Sequence, residues 1–264
     1  MRVTYRHEHV DAYWAKRWAA IPADEEAANP EAYPLRYALE ALEGVSGRIL
    51  EAGCGSGRIL RYFHNRGRDI LGMDYVAPGL VKLAGADAGL RLFQADMRRL
   101  PFPDGAFQCV LAFGLYHGIE HGLDEALAET RRVLQPRGVL CASFRADNLQ
   151  NRLLDWHADR RGRARASGAP RQFHKLNLSH GEFTGLLRRA GFTVEKACSA
   201  QNYPFLYKFP CFRAREQAEF DESLGRKQGY RLNLAGRLLQ GGLYALAPRQ
   251  MCNVTVCLAR KEAA

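Results

Sequence analysis

Short apolar runs of strand character alternate along the chain with stretches that carry apolar residues at helical spacing. Arg48-Ile49-Leu50 is the first such run, and Arg58 to Phe63 after it reads as a helix. Asp69-Ile70-Leu71-Gly72-Met73-Asp74 reads as a second strand ending in a carboxylate. A short helix from Gly79 to Gly85 and a strand from Gly89 to Ala95 follow, the latter running into Asp96-Met97. Phe107 to Phe113 is an apolar run broken only by Gln108, as expected for a parallel strand covered on both faces. Leu123, Leu127, Thr130 and Leu134 form one helical stripe stopped by Pro136 and Gly138, and Val139 to Phe144 is a fifth strand. Ser179-His180-Gly181-Glu182 is a capping box that opens a helix bearing Phe183, Leu186, Leu187 and Ala190, closed by Gly191. Phe192 to Ala197 and Asn253 to Leu258 are the last two strands. The alternation specifies an α/β fold with a doubly wound parallel sheet. Right-handed crossovers place the loops after the first four strands at one carboxyl edge, so Gly53, Asp74, Asp96 and Phe113 are expected around one crevice.

Three stretches fall outside this framework. Residues 1–44 form an N-terminal helical extension, with Tyr5, Tyr13, Trp14 and Trp18 read as one aromatic face packed into a core and a helix expected from about Glu31 to Glu43. The remaining residues, 45–264, form one domain with insertions at about 146–178 and 199–251. Both insertions lie at the functional edge and are expected to form an acceptor lid. Tyr203 to Pro210 in the second insertion is rich in aromatics, and wall and core readings fit it equally.

Glu51-Ala52-Gly53-Cys54-Gly55-Ser56-Gly57 lies between the first strand and its helix. Glycines there let the backbone turn tightly and approach a ligand where a Cβ would collide. The spacing is G-x-G-x-G, and Arg58 stands where a dinucleotide fingerprint needs its third glycine, which favours S-adenosyl-L-methionine (SAM) over NAD.

Composition bounds the reading. The chain has 264 residues, 47% hydrophobic, without an apolar run of membrane-spanning length or a signal-peptide core at its start. Seven scattered cysteines form no metal-ligand spacing, so no metal site is expected and the compartment reads as reducing and cytoplasmic. The net charge of +10 points to an anionic partner or to RNA. Part of the excess is local: Arg160 to Lys175 holds six Arg or Lys and no acid, and reads as a solvated loop.

In these blocks the chain resembles the class I SAM-dependent methyltransferases, within their small-molecule (type 11-like) branch. The resemblance is carried by Leu50 to Gly57, Gly72-Met73-Asp74-Tyr75, Gln94-Ala95-Asp96-Met97 with Leu100-Pro101-Phe102, Phe107 to His117, Glu129 to Gly138, and Ala190-Gly191-Phe192. It covers about residues 45–198 and the last strand. It implies a Rossmann-like seven-stranded sheet in the order 3-2-1-4-5-7-6 with the last strand antiparallel. It also implies that backbone groups at Gly53 and around Gly55 hold the methionine moiety, with Glu51 acting through water. Asp74 suits the ribose diol, because a carboxylate accepts from two hydroxyls at once. Asp96 would accept from the adenine amino group beside the Met97 backbone, with Tyr75 and Met97 as walls. Cys54, Gly57 and Phe113 complete the expected cofactor set. Two positions depart from the family: Arg137 where P-G-G is usual, and Gln108 where Asp is usual. Both are read as structural.

Methyl transfer from a sulfonium needs an aligned acceptor and exclusion of water, and a base only where the acceptor must lose a proton. His117 is the first candidate for base or orienting group and Tyr116 the second, both just after the fourth strand, whereas Glu120 and His121 are read as solvent-facing. The leading reading is transfer to a hydroxyl or amine of a small-molecule acceptor, leaving S-adenosyl-L-homocysteine. The alternatives are a tRNA or rRNA methyltransferase using the basic segment, with Trp156 and Phe173 stacking on bases, and a regulatory SAM-binding domain without turnover. No membrane partner is expected, and no oligomeric state is read.

Overall fold

A computed structural model describes residues 1–23, 25–163, 170–217, 219 and 229–262. In chain order the elements are β1 (Arg2–Arg6), α1 (Val10–Ala20), α2 (Leu35–Ala41), β2 (Ile49–Ala52), α3 (Arg58–His64), β3 (Ile70–Asp74), α4 (Ala77–Ala86), β4 (Arg91–Gln94) and β5 (Phe107–Phe113). They continue with α5 (Leu123–Val133), β6 (Leu134–Arg145), α6 (Leu149–Arg163), β7 (Gln172–Asn177), α7 (His180–Arg189), β8 (Phe192–Ala200), α8 (Leu234–Leu246) and β9 (Val254–Lys261).

Seven strands pair in the order β4-β3-β2-β5-β6-β9-β8, with β9 antiparallel to both neighbours. This is the order the resemblance implies. Alternate residues of each central strand enter opposite cores, which is why these strands read as unbroken apolar runs. On one face Leu50, Met73, Val110 and Leu140 pack with Leu127 and Val133 of α5 and Phe183 and Leu187 of α7. On the other, Ile49, Ile70, Cys109 and Leu111 meet Leu35 and Ala38 of α2, Leu60 and Phe63 of α3 and Leu83 of α4. The capping box is formed as expected: Ser179 N–H donates to Glu182 Oε2 at 2.8 Å and Glu182 N–H to Ser179 Oγ at 3.3 Å. Gln108 is structural, its Oε1 accepting from the N–H groups of Ser46 (3.1 Å) and Gly47 (2.5 Å). Arg137 turns with φ 59°, a left-handed conformation that glycine adopts at less cost.

Several expectations are corrected. Tyr5 is not on a helix: it belongs to β1, which pairs antiparallel with β7 in a separate two-stranded ribbon (Arg2 opposite Asn177, Thr4 opposite Lys175). The expected Glu31 to Glu43 helix is the shorter α2, and the fifth strand starts earlier, at Leu134. Much of the basic stretch expected as a loop is regular, because α6 reaches Arg163 and β7 begins at Gln172, while 164–169 lie outside the described residues. The aromatic run in the second insertion is mainly core: Phe205, Leu206 and Tyr207 bury against Leu232 and Met251.

The glycine-rich loop is held between α1 and α4. A Cβ on Gly55 would stand 2.5 Å from Trp18 Cζ2, and one on Gly79, in the first turns of α4, would stand 2.6 Å from the Gly55 carbonyl oxygen. Gly79→Ala should gain about 1 kcal/mol of helix propensity in isolation. Here we expect net destabilisation of about 1–3 kcal/mol, because backbone rather than a flexible side chain must move. Urea denaturation of the variant measures which term wins.

Candidate active site

The carboxyl ends of β2, β3, β4 and β5 open into one cavity of about 790 Å³. Glu51, Gly53, Cys54, Asp74, Tyr75, Asp96, Met97, Phe113 and His117 all line it. Gly55 and Gly57 do not; with φ of 54° and 72° they shape the turn behind the wall.

The loop spends its N–H groups on the protein. Gly53 and Cys54 both donate to the Met73 carbonyl, at 2.7 and 2.9 Å, and Gly57 donates to Cys54 at 2.8 Å. Gly55 N–H donates to Asp74 Oδ2 at 2.8 Å, and Val76 N–H to Asp74 Oδ1 at 2.9 Å. The Asp74 carboxylate is therefore first a clamp on the loop, with accepting capacity left for a ligand. Burial raises its pKa, against the pull of the backbone N–H groups of Val76, Gly55 and Tyr75.

Glu51 is buried at the tip of β2, and its Oε2 has no partner among the described residues. Burial pushes its carboxyl up to about 8. Such an orphaned acceptor at the bottom of a cavity fits a cationic ligand group such as an ammonium. Asp96 is half-exposed and forked by the Arg98 guanidinium at 2.6–3.0 Å, which holds its pKa down. Met97 is buried and Tyr75 is 54% exposed, so the wall they form is closed on one side and wet on the other.

His117 is buried in a short 3-10 turn, edge-on to Phe144 at 6.2 Å, and its Nδ1 has no hydrogen-bond partner. Burial first, then the nearby Lys175, Arg145 and His174, hold its pKa well below the ordinary value, so the ring is neutral at pH 7. Tyr116 does not reach the cavity. It is fully buried, and its hydroxyl meets Thr130 Oγ1 at 2.7 Å under α5, Thr130 in turn donating to the Ala126 carbonyl. The 3-10 turn points adjacent side chains to different sides, and Tyr116 takes the core side. Glu120 and His121 stand at the cavity mouth, with exposed side chains.

The opposite wall comes from the two insertions, where a lid is expected, and from α1, whose aromatics are expected in a core. Tyr13, Trp14, Arg17 and Trp18 of α1 line it, Trp14 stacked on Trp18 at 5.1 Å with Arg17 within 5.7–5.9 Å of the rings of all three aromatics. Their spacing put them on one helix face, as read, but that face covers the cavity. Arg6 of β1, Arg145 of β6, Asp155 of α6 and His174 and Lys175 of β7 complete the wall, with Tyr203 and Lys208 from the second insertion. The first of these groups are brought together by the β1–β7 ribbon, which leaves no local sequence signal.

Residues 50–142 match the family model described as "Methyltransferase domain". A demethylmenaquinone methyltransferase of Thermus thermophilus is 36% identical over 107 residues, 38% of this chain and 48% of the relative. A probable tRNA methyltransferase 9B of Bos taurus is 29% identical over 180 residues, 64% of this chain and 37% of the relative. The chain thus spans about half the length, or less, of these curated relatives. Among solved structures, the [4+2]-cyclase SpnF superposes with a TM-score of 0.57 at 17% identity, covering 99% of each chain. At that identity the likeness concerns the fold alone.

Two outcomes follow from the geometry. Between pH 4.5 and about 8 the folded chain keeps a proton on Glu51 that the unfolded chain has released, so this residue makes the protein less stable as pH rises through that window. Glu51→Gln should therefore unfold like the wild type near pH 5 and gain on it by a few kcal/mol at pH 8.5, read by urea denaturation without added ligand. Tyr116→Phe should cost about 1 kcal/mol of stability and leave ligand affinity at the cavity unchanged by calorimetry.

Proposed function

We propose that this chain, which carries a class I SAM-dependent methyltransferase domain, transfers the SAM methyl group to a hydroxyl or amine of a small-molecule acceptor. The observation that carries the reading is the meeting of Glu51, Asp74 and Asp96, from three successive strand ends, in one cavity with the glycine loop behind it. Bound SAM supplies an electrophilic methyl on a sulfonium, open to in-line displacement.

The chain's own residues supply binding and alignment. Glu51, orphaned and buried, accepts from the amino group of the methionine moiety, and pairing with that cation draws its proton off. Asp74, already fixed by Gly55 and Val76, accepts from the ribose hydroxyls with its remaining lone pairs. Asp96 accepts from the adenine amino group, Tyr75 and Met97 flanking the ring. His117 is neutral, and its unpartnered Nδ1 accepts a hydrogen bond from the acceptor's hydroxyl or amine. A depressed pKa makes it a better orienting group than a proton sink. Tyr13, Trp14 and Trp18 of α1 close over the cavity and keep water from it.

A small-molecule acceptor is supported by the cavity's volume, which lies within the range of ligand pockets, and by walls on the acceptor side from α1, α6 and β7. An RNA acceptor draws on a specific feature too: Trp156 is 56% exposed, with the Arg160 guanidinium 4.8 Å above its ring. Salt-sensitive binding of bulk tRNA in a filter assay would favour that second reading.

Asp74→Ala should weaken SAM binding at least tenfold by calorimetry, and His117→Gln should leave that affinity within about twofold while lowering the release of S-adenosylhomocysteine at least tenfold. Unchanged SAM affinity in Asp74→Ala sinks the reading. Release of S-adenosylhomocysteine with any acceptor from a panel disposes of a regulatory domain without turnover.

A further inference from the structure

Across the cavity from its carboxylates stands a wall of cations. Arg145 forks Asp155 with both its terminal nitrogens at 2.9 Å and also bonds Asn177 Oδ1. Arg2 reaches the same carboxylate at 2.9 Å, and Arg6 approaches it at 3.6 Å. Three guanidinium groups therefore share Asp155, and a fourth cation nearby makes no contact with it. That fourth cation is Lys175. It lines the cavity with its ammonium 6.0 Å from the Tyr13 ring centre and 5.9 Å from that of Trp14, and among the described residues that ammonium makes no hydrogen bond or ion pair.

The groups that face it come from every surrounding element: Arg6 of β1, Tyr13 and Arg17 of α1, Arg145 of β6, Asp155 of α6, His174 beside it on β7, and His117 of the 3-10 turn. Both imidazoles are neutral at pH 7, so the only negative charge in the set is Asp155. An ammonium with three donors, half-buried among cations, lacks a counter-charge that the protein does not provide. Its place on the cavity surface lets a ligand provide one.

We propose that the acceptor carries an oxyanion, a carboxylate or a phosphate, which pairs with the Lys175 ammonium and so sets the orientation of the atom to be methylated near His117. This rests on the methyltransferase reading and adds the acceptor's chemical class to it. The aromatic rings of Tyr13 and Trp14 flank the ammonium, so the part of the acceptor next to its anion is apolar or flat. Burial, then Arg145 and Arg17, push the Lys175 pKa down to about 7. An anion at its side raises it again, so occupancy of this subsite takes up a proton.

The test is calorimetry on the full chain saturated with S-adenosylhomocysteine, titrated separately with inorganic phosphate, 4-hydroxybenzoate and the neutral methyl ester of the latter. At least one of the two anions should bind, the ester at least tenfold more weakly than its acid, with proton uptake at pH 8 seen as a dependence of the heat on buffer ionisation. The phosphate and carboxylate arms tell which oxyanion fits. Lys175→Met should lose the anion at least tenfold and abolish the proton uptake, and Lys175→Arg should restore binding. Both variants should bind S-adenosylhomocysteine as the wild type does. No anion binding to the wild type, equal binding by acid and ester, or unchanged affinity in Lys175→Met overturns the proposal. Failure of the wild type to bind S-adenosylhomocysteine instead overturns the methyltransferase reading on which it stands.

Discussion

The buried Asp74 carboxylate is the constraint from which the rest of the site follows. It ends β3, is 7% exposed, and ties the N–H of Gly55 to that of Val76 at the start of α4. A charged group with two hydrogen bonds in a low-dielectric position fixes both partners far more firmly than it would in water. The loop after β2 is thereby locked to the neighbouring strand, and the close approach of Gly79 to the Gly55 carbonyl leaves it one position to occupy. Once the loop is fixed, Glu51 before it and the α3 helix after it have defined directions.

Electrostatic division runs through the cavity. Glu51, Asp74 and Asp96 lie along the sheet edge at the ends of β2, β3 and β4, whereas Arg6, Arg17 and Lys175 lie on elements outside the sheet, joined by Arg145 at the end of β6. A ligand that is cationic at one end meets acids, and one that is anionic meets bases, so a charged pair of reactants would be sorted before any close contact forms. The neutral state of His117 belongs to the same division, because a ring surrounded by Lys175, Arg145 and His174 sheds its proton.

The sheet was legible because its signals are local. Phe107 to Phe113 is apolar at every position but Gln108 because both faces are covered, and Gly53, Gly55 and Gly57 mark a turn that few other residues can make. Strand ends and crossover handedness then bring Asp74, Asp96 and Phe113 to the glycine loop without reference to any side-chain contact. What escaped was non-local. Lys175 carries no mark of its environment in the sequence, since its neighbours are Thr4 across the ribbon and Tyr13 and Trp14 on α1. The α1 aromatics were visible as a face, but a covering face and a core face have the same periodicity. His117 and Tyr116 stand side by side in sequence, and only the geometry of the 3-10 turn separates cavity from core.

The pairing of β1 with β7 joins residues as far apart as Arg2 and Asn177, 175 positions along the chain. The seven-stranded sheet closes through shorter connections, and its ladder shares no strand with that pairing. The two halves of the cavity thus have separate origins in the chain, one supplied by the sheet and the other by a contact of high sequence separation. The ribbon is fastened by more than its ladder, since Phe173 and Leu176 enter the core and Arg2 and Arg6 reach Asp147 and Asp155. One face of the chamber is therefore only as complete as the contact between the chain's first residues and a segment more than 160 positions away.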